Sequence, residues 1–379
     1  MPLISRQTGP IAVYGATGYT GRLVVAELAR AGADYVISGR NPEKLEALRS
    51  ELELEAPAKT ARLDDPASLR DLLSDCAAVI DCAGPFVRFG EPVLRAAVET
   101  GTHYLDTTGE QAYMKMAYER YGPGAAEAEV AVIPAMGFDY VPGDMLASLT
   151  AEGMGELEEI SMHYCWLHFQ PSQGTARTTL EVLSGSDLEW RNMEWVPASG
   201  GVSRGTYEFP EPVGRRRMLR YPSGEQITVP RHVPTRNVRA EMNAGSFASE
   251  RLGPILAATM RPAGLALRTP LKRLARAIIS RLPEGQTPEQ RDRMRWMVVC
   301  EARRDDLERR GVISGKDVYG LTAAAVVRGA TTAARSGYEG RGALAPSQAF
   351  DPKDFLGGLN SFDVSWRISE TGVPTAVEA

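Results

Sequence analysis

The chain has 379 residues, 43% of them hydrophobic and 24% charged, with a formal net charge of −5. That length predicts two domains rather than one, and the composition is that of a globular protein able to build its core without metal or disulfide staples. The acidic balance argues against a general nucleic-acid binder. The scattered cysteines Cys76, Cys82, Cys165 and Cys300 include no Cys-x-x-Cys pair, so zinc-ribbon and thioredoxin-type readings give way to a reduced thiol set. The first residues lack the apolar core of a signal peptide, and no apolar run has the length of a spanning helix, so a cytoplasmic location is expected.

In chain order, the first third alternates strand and helix. Ile11 to Tyr14 is a short apolar run ending at Gly15 and predicts a buried strand. Leu23, Val24, Leu28 and Ala31 at helical spacing predict a helix from Thr20 to Ala31, stopped by Gly32. A strand over Tyr35 to Ser38 precedes a helix over Pro42 to Leu52, and a strand over Thr60 to Leu63 precedes a helix over Pro66 to Leu73. Next come a strand over Ala77 to Cys82, a helix over Glu91 to Glu99 and a strand over Tyr104 to Asp106. A helix over Gln111 to Tyr118 and a strand over Val130 to Pro134 complete the series. Such alternation implies right-handed crossovers and a parallel sheet, and six strands in two halves make the dinucleotide-binding arrangement.

After Gly153 the texture changes. Ile160 to Leu167 alternates as a strand, and Gly- and Pro-rich connections follow. Strand-like pieces at Tyr207 to Phe209 and Gln226 to Val229 predict an antiparallel or mixed sheet in a separate substrate domain, with Met294 to Glu301 as another strand. Asp317 to Arg335 reads as a small-residue helix with Val318, Leu321, Ala325 and Val326 on one face, suited to close packing against the first domain.

The first strand and helix are joined by Gly15-Ala16-Thr17-Gly18-Tyr19-Thr20-Gly21. Glycines let the backbone turn tightly and let a pyrophosphate approach, and the helix N-terminus presents free N–H groups and a positive dipole end. A glycine triplet alone is weak, because strand-to-helix turns often contain glycine; the strand–loop–helix order supplies the specificity. The second strand ends in Ser38-Gly39-Arg40-Asn41, with Lys44 one turn later, where NAD-binding chains carry an acid for the ribose 2′-OH. Arg40 can instead pair with a 2′-phosphate, so NADP(H) is the expected cofactor; the alternative is a solvated arginine at a helix start.

Ligands of open parallel sheets lie beyond the carboxyl ends of the strands. There Asp64 can receive the adenine amino group, while Asp65 either shares that role or caps a helix. Cys82-Ala83-Gly84-Pro85-Phe86 lacks bulk at its start, leaving its backbone free for a ribose or nicotinamide. Tyr104-Leu105-Asp106-Thr107-Thr108-Gly109-Glu110 gathers polar groups where a nicotinamide carboxamide and a substrate would meet.

Together with Gly137-Phe138-Asp139-Tyr140-Val141-Pro142-Gly143-Asp144, these loops resemble those of the saccharopine dehydrogenase-like oxidoreductases, nearest to the branch of the trans-acting enoyl reductases. The resemblance is specific through about residue 150 and returns weakly from Gly342 to Phe350. It implies an α/β fold with a Rossmann-type parallel-sheet domain over 1–155, an inserted α+β domain over 156–314 and a C-terminal segment over 315–379 returning to the first domain. It also implies NAD(P)H-dependent reduction of C=N or C=C bonds, or the reverse oxidation. From Glu156 to Arg310 the chain departs from the family, so no substrate carries over.

For such a reaction the protein supplies position, electrostatics and a proton. Asp106, Tyr140 and Tyr104 are the leading candidates, with Glu110 and Asp139 beside them; each has a bland alternative as a loop tie, a helix-start acid or packing. The histidines show no metal-ligand spacing, so no metal is expected. Residues 251–282 carry Arg251, Arg261, Arg268, Lys272, Arg273, Arg276 and Arg281 with no acid between them. They fit either a basic face meeting a membrane surface or an acidic carrier protein, or a solvated helix covering the second domain. The expected activity is an NADPH-dependent reductase of a small or carrier-bound metabolite. A dehydrogenase of an amino-acid-derived substrate and a non-catalytic NADP sensor are the alternatives, and a homodimer stays open.

Overall fold

The structure, a computed structural model, describes residues 8–184, 187–198, 205–246, 275, 277–281 and 283–371. Its first sheet comprises β1 (Ile11–Tyr14), β2 (Tyr35–Gly39), β3 (Ala58–Thr60), β4 (Ala78–Asp81), β5 (His103–Asp106), β6 (Ala131–Ile133) and a late strand, Gly342–Ala343. All pair in parallel, in the order late strand, β6, β5, β4, β1, β2, β3. Every residue of β1, β2 and β4 is buried, as expected for strands covered on both faces. The crossover helices are α1 (Tyr19–Arg30), α2 (Pro42–Glu51), α3 (Pro66–Leu73), α4 (Phe86–Thr100), α5 (Gln111–Met116) and α6 (Gly122–Glu127).

In this sheet and its helices, three elements differ by more than one residue from the ranges expected of the sequence, for local reasons. The third strand ends at Thr60, because Asp65 N bonds Arg62 O and residues 61–65 turn into the start of α3. The fourth helix starts at Phe86, five residues before Glu91, because Glu110 receives its first N–H groups. The helix from Gln111 ends at Met116 and continues as a π-helical turn, Ala117–Tyr121, into α6.

The second sheet is nine-stranded and mixed. It contains β7 (Leu157–Leu167), β8 (Leu188–Arg191), β9 (Glu194–Pro197), β10 (Thr206–Phe209), β11 (Gly214–Arg220), β12 (Thr235–Asn243), β13 (Arg295–Arg304), β14 (Leu307–Lys316) and, after the late strand β15 of the first sheet, β16 (Ser365–Thr371). Only β12 and β7 run parallel; the remaining pairs are antiparallel. Gln226–Val229 is no strand: Glu225–Thr228 forms a helical turn, whose leading Gly224 lies so close to the Tyr140 ring that a Cβ would fall 2.5 Å from it.

Two helices join the sheets. α7 (Val141–Ala151) is buried along almost its whole length, as a helix between two layers must be, and shares one core with Ile160, Met162 and Tyr164 of β7 and Val298 and Cys300 of β13. Helix Val318–Ala333 packs on α1 through small residues; a Cβ at its Gly329 would lie 2.9 Å from Met136 Cε. The C-terminal segment is therefore shared: this helix and β15 return to the first sheet, whereas β16 pairs with β14 in the second.

Candidate active site

Gly15 turns the chain out of β1 at φ +79°, a conformation that strains any residue with a Cβ. Its N–H and that of Ala16 both donate to Ser38 O, at 3.0 and 3.1 Å, tying the loop to the end of β2. Gly18 N donates to Gly15 O at 3.0 Å, and α1 then begins with no side chain capping it. The first-turn N–H groups, with the positive end of the helix dipole behind them, form an anion site, and Thr17 and Thr20 are half-buried beside it. Gly21 sets the closeness of helix and loop: a Cβ there would lie 2.2 Å from Gly15 O. These features fit a pyrophosphate.

The Tyr19 side chain does not face that site. Its hydroxyl donates to Gln286 O at 2.9 Å, and its ring meets Tyr319 edge-on at 5.2 Å. The Gly285 backbone packs on it so tightly that a Cβ would come within 2.2 Å of the ring. Tyr19, expected to hold cofactor, clasps the phosphate loop to the second unit, and only its backbone N–H remains with the anion site.

At the next loops some expected residues are free and others occupied. Arg40 and Lys44 are exposed, and Gly39 closes β2. The Asn41 side chain caps α2, accepting Lys44 N at 3.0 Å. Asp64 is held by two bonds from Arg62, at 3.0 and 2.8 Å, so its carboxylate is already neutralised. Asp65 caps α3, accepting from Ala67 N and Ser68 N. Arg62 is a second cation near Arg40 that the sequence reading passed over; its spacing from the strand end carried no signal.

The loop after β4 meets the phosphate loop backbone to backbone: a Cβ at Gly15 would lie 3.1 Å from Ala83 N and from the Cys82 carbonyl carbon. Buried Asp81 holds this loop by accepting Ala83 N at 2.8 Å, while Gly84 and Pro85 lead into α4. The Phe86 ring is buried, 5.6 Å from the Tyr113 ring. Glu110 binds that helix end instead, accepting Phe86 N at 2.8 Å and Val87 N at 2.9 Å. A carboxylate at a helix N-terminus is favourable in both charge and hydrogen bonding.

The three leading catalytic candidates are all buried. Tyr104 is fully buried, its hydroxyl 2.8 Å from Tyr113 Oη and 3.4 Å from Asp81 Oδ2. Asp106 is equally buried, and its Oδ1 accepts Thr108 N at 2.9 Å and Ala135 N at 2.8 Å, tying the ends of β5 and β6. Burial pushes its carboxyl up to about 7. Tyr140 is 2% exposed and donates its hydroxyl to Gly109 O at 2.8 Å.

Asp139 stands apart. It is half-buried, and burial pushes its carboxyl up to about 6. A Cβ built on Gly109 would lie 3.3 Å from Asp139 Oδ2, 3.7 Å from Thr178 Cγ2 and 3.8 Å from Tyr140 Oη. The end of β5, the start of α7 and helix α8 (Gln173–Ser184) therefore converge there.

Buried ties hold the two units in this arrangement. Gln111 Nε2 donates to Ser223 O at 2.7 Å and Gln226 Oε1 at 2.8 Å, and its Oε1 accepts Leu188 N at 3.0 Å. Asp144 bonds His232 Nε2 at 2.8 Å and accepts Ser347 N at 2.9 Å. Burial pushes its carboxyl up, but His232 and the hydrogen bonds outweigh that and hold it below the ordinary range. Beneath Asp139, Tyr164 donates to buried Glu225, whose carboxyl burial pushes up to about 8.

No group of three His, Cys, Asp or Glu side chains among the described residues could hold a metal, and no described helix is long and apolar enough to cross a membrane. The basic segment 251–282 lies outside the described residues, apart from 275 and 277–281.

Residues 11–133 match the saccharopine dehydrogenase NADP binding domain family. Over 162 residues the chain is 33% identical to a trans-acting enoyl reductase of Mycobacterium ulcerans, covering 40% of this chain and 39% of that one. Over 199 residues it is 31% identical to the saccharopine dehydrogenase-like oxidoreductase of Homo sapiens, covering 48% and 44%. Each alignment spans less than half of the relative's own length. An apo saccharopine dehydrogenase (L-Glu forming) from Saccharomyces cerevisiae matches in fold over 96% of this chain and 100% of that one, with a TM-score of 0.60 at 14% identity. Residues 11–133 thus match an NADP-binding domain in motif, loop geometry and family model, which gives NADP(H) as the cofactor.

Proposed function

We propose that this chain is an NADPH-dependent reductase of a C=N or C=C bond in a small or carrier-bound metabolite. The observation that carries the reading is the placement of α8 over the carboxyl end of β5. Thr178 Oγ1 lies 3.4 Å from Glu110 Oε1, so the second unit roofs the edge where a parallel sheet presents its ligand. A roof there keeps water from a reacting centre and holds an acceptor against the cofactor.

Bound NADPH supplies the hydride; the chain's own residues bind and orient. The loop from Gly15 to Gly18 and the start of α1 would receive the pyrophosphate, and Arg40 would pair with the 2′-phosphate. The backbone from Cys82 to Gly84 would take the ribose and nicotinamide. Asp106 and Tyr140 act by position: the first fixes the loops after β5 and β6, the second fixes Gly109 O. Tyr104 supports β4 and β5 from the core side.

The test is NADPH oxidation, followed by absorbance, with a panel of cyclic imines and α,β-unsaturated thioesters as acceptors. Turnover of at least one acceptor with NADPH preferred over NADH is the expected result. Tight NADPH binding with no oxidation by any acceptor would overturn the reading in favour of a sensor.

A further inference from the structure

The acids at the carboxyl edge of the first sheet differ in what they are already doing. Asp81 accepts Ala83 N, Asp106 accepts Thr108 N and Ala135 N, and Glu110 accepts Phe86 N and Val87 N. Each is buried: Glu110 has both oxygens on backbone donors, Asp81 Oδ2 lies 3.4 Å from the Tyr104 hydroxyl, and Asp106 Oδ2 is enclosed with no partner among the described residues. Glu225 is fully buried behind Tyr164. Asp139 alone in this group is partly open to solvent, and no described residue donates a hydrogen bond to its carboxylate. Its Oδ2 lies beside Gly109 at the end of β5, 3.3 Å from where a Cβ there would sit, with Thr178 of α8 opposite at 3.7 Å.

Resting on the reductase reading above, we infer that Asp139 is the catalytic acid, donating the proton that completes reduction. The hydride from NADPH adds to the acceptor carbon. The π pair of the C=N or C=C bond takes the Asp139 carboxyl proton, at nitrogen or at the neighbouring carbon. The products are the reduced bond, NADP⁺ and the Asp139 carboxylate, which regains a proton from water at its open side. Its surroundings suit an acid that must hold a proton near neutrality: burial pushes the carboxyl up to about 6, and no cation offsets it. The titratable groups facing it are the phenols of Tyr140, Tyr164, Tyr221 and Tyr319, all raised by burial, and Glu110 lies beyond Thr178. Gly143 and Gly224 fix the acid from below: a Cβ at 143 would lie 2.0 Å from Glu225 Oε1, so the start of α7 cannot shift.

The test compares wild type, Asp139→Asn and Asp139→Glu for NADPH affinity, by fluorescence titration, and for kcat across pH. Loss of a general acid lowers kcat by about 100-fold or more, and NADPH affinity stays as in wild type. Wild-type kcat falls as pH rises through about 6, the Asn profile is flat, and the Glu variant recovers part of the rate. An Asn variant with wild-type kcat and pH profile overturns the inference while the reductase reading stands. Wild type that binds NADPH and reduces nothing overturns the reading itself, and the inference with it. A carboxyl NMR resonance absent from the Asn variant and titrating in the ordinary aspartate range overturns the inference whatever the turnover.

Discussion

Gly21→Ala isolates the contribution of the phosphate loop's shape. A methyl at 21 would lie 2.2 Å from Gly15 O, 2.8 Å from Ala16 Cα and 2.9 Å from the Ala16 carbonyl carbon. All three are backbone atoms, so no rotamer relieves the clash. Reaching even a 3.0 Å contact moves the start of α1 by about 0.8 Å from the loop. Overpacking of this kind costs about 1–3 kcal/mol in stability. The same shift stretches each pyrophosphate contact beyond a normal N–H···O length, and we expect NADPH to bind at least about tenfold more weakly, or 1.4 kcal/mol. Gly32→Ala is the control. Gly32 has φ +63° and nothing within 4 Å of the new methyl, so it pays the left-handed strain and leaves the loop alone. NADPH fluorescence titration and thermal unfolding on both variants give the comparison. Equal NADPH affinities in Gly21→Ala and Gly32→Ala would refute the argument that helix-to-loop contact shapes the anion site.

Arg40→Ala should weaken NADPH by about 1.5–3 kcal/mol, the range of a charged hydrogen bond, while NADH affinity holds; parallel titrations of the two cofactors would expose an error if both fell equally. Asp144→Ala leaves His232 and Ser347 N without their buried partner and should destabilise by about 3–5 kcal/mol in urea unfolding. Because the Asp144 carboxyl is held low in the folded state, the stability it confers is present above the ordinary aspartate range and is lost as pH falls through its folded value. Asp106 has the opposite sign: its folded carboxyl is raised to about 7, so folding retains a proton the unfolded chain releases, and stability falls as pH rises from about 4 to 7. Asp106→Asn keeps the Oδ1 acceptor and should remove that slope; an unchanged stability-versus-pH curve would contradict it.

The first sheet was legible because short apolar runs stop at glycines and strand spacing leaves little choice of connection. Residues whose partners lie far along the chain were not. Glu110 reads as an acid at a helix start, and its bonds to Phe86 and Val87, 24 and 23 residues upstream, are visible only in three dimensions. Tyr19 sits inside the phosphate motif, yet its hydroxyl partner is 267 residues away. Gln226 to Val229 has strand-like composition, but packing Gly224 against Tyr140 turns the chain helical. Asp106 and Asp139 are equivalent as letters at two strand ends, and burial alone separates a loop tie from an open acid.

The position of that acid follows from how the two sheets meet. α7 is enclosed by both, so the residues immediately before it, Asp139 and Tyr140, are fixed to the first sheet through Gly109 O and to the second through Tyr164. Tyr164 Oη reaches Asp139 O at 3.2 Å and also donates to Glu225, which a close approach at Gly143 holds in place. Backbone anchored on both sides holds the Cα of the acid in place when the surrounding surface changes, as proton transfer over hydrogen-bond distance demands. Among the described residues, α8 meets that frame through Thr178 on Glu110 and Thr175 on Tyr319. On the proposed reading, the proton comes from the junction of α7 with the two sheets, and α8 is the element that faces it across Gly109.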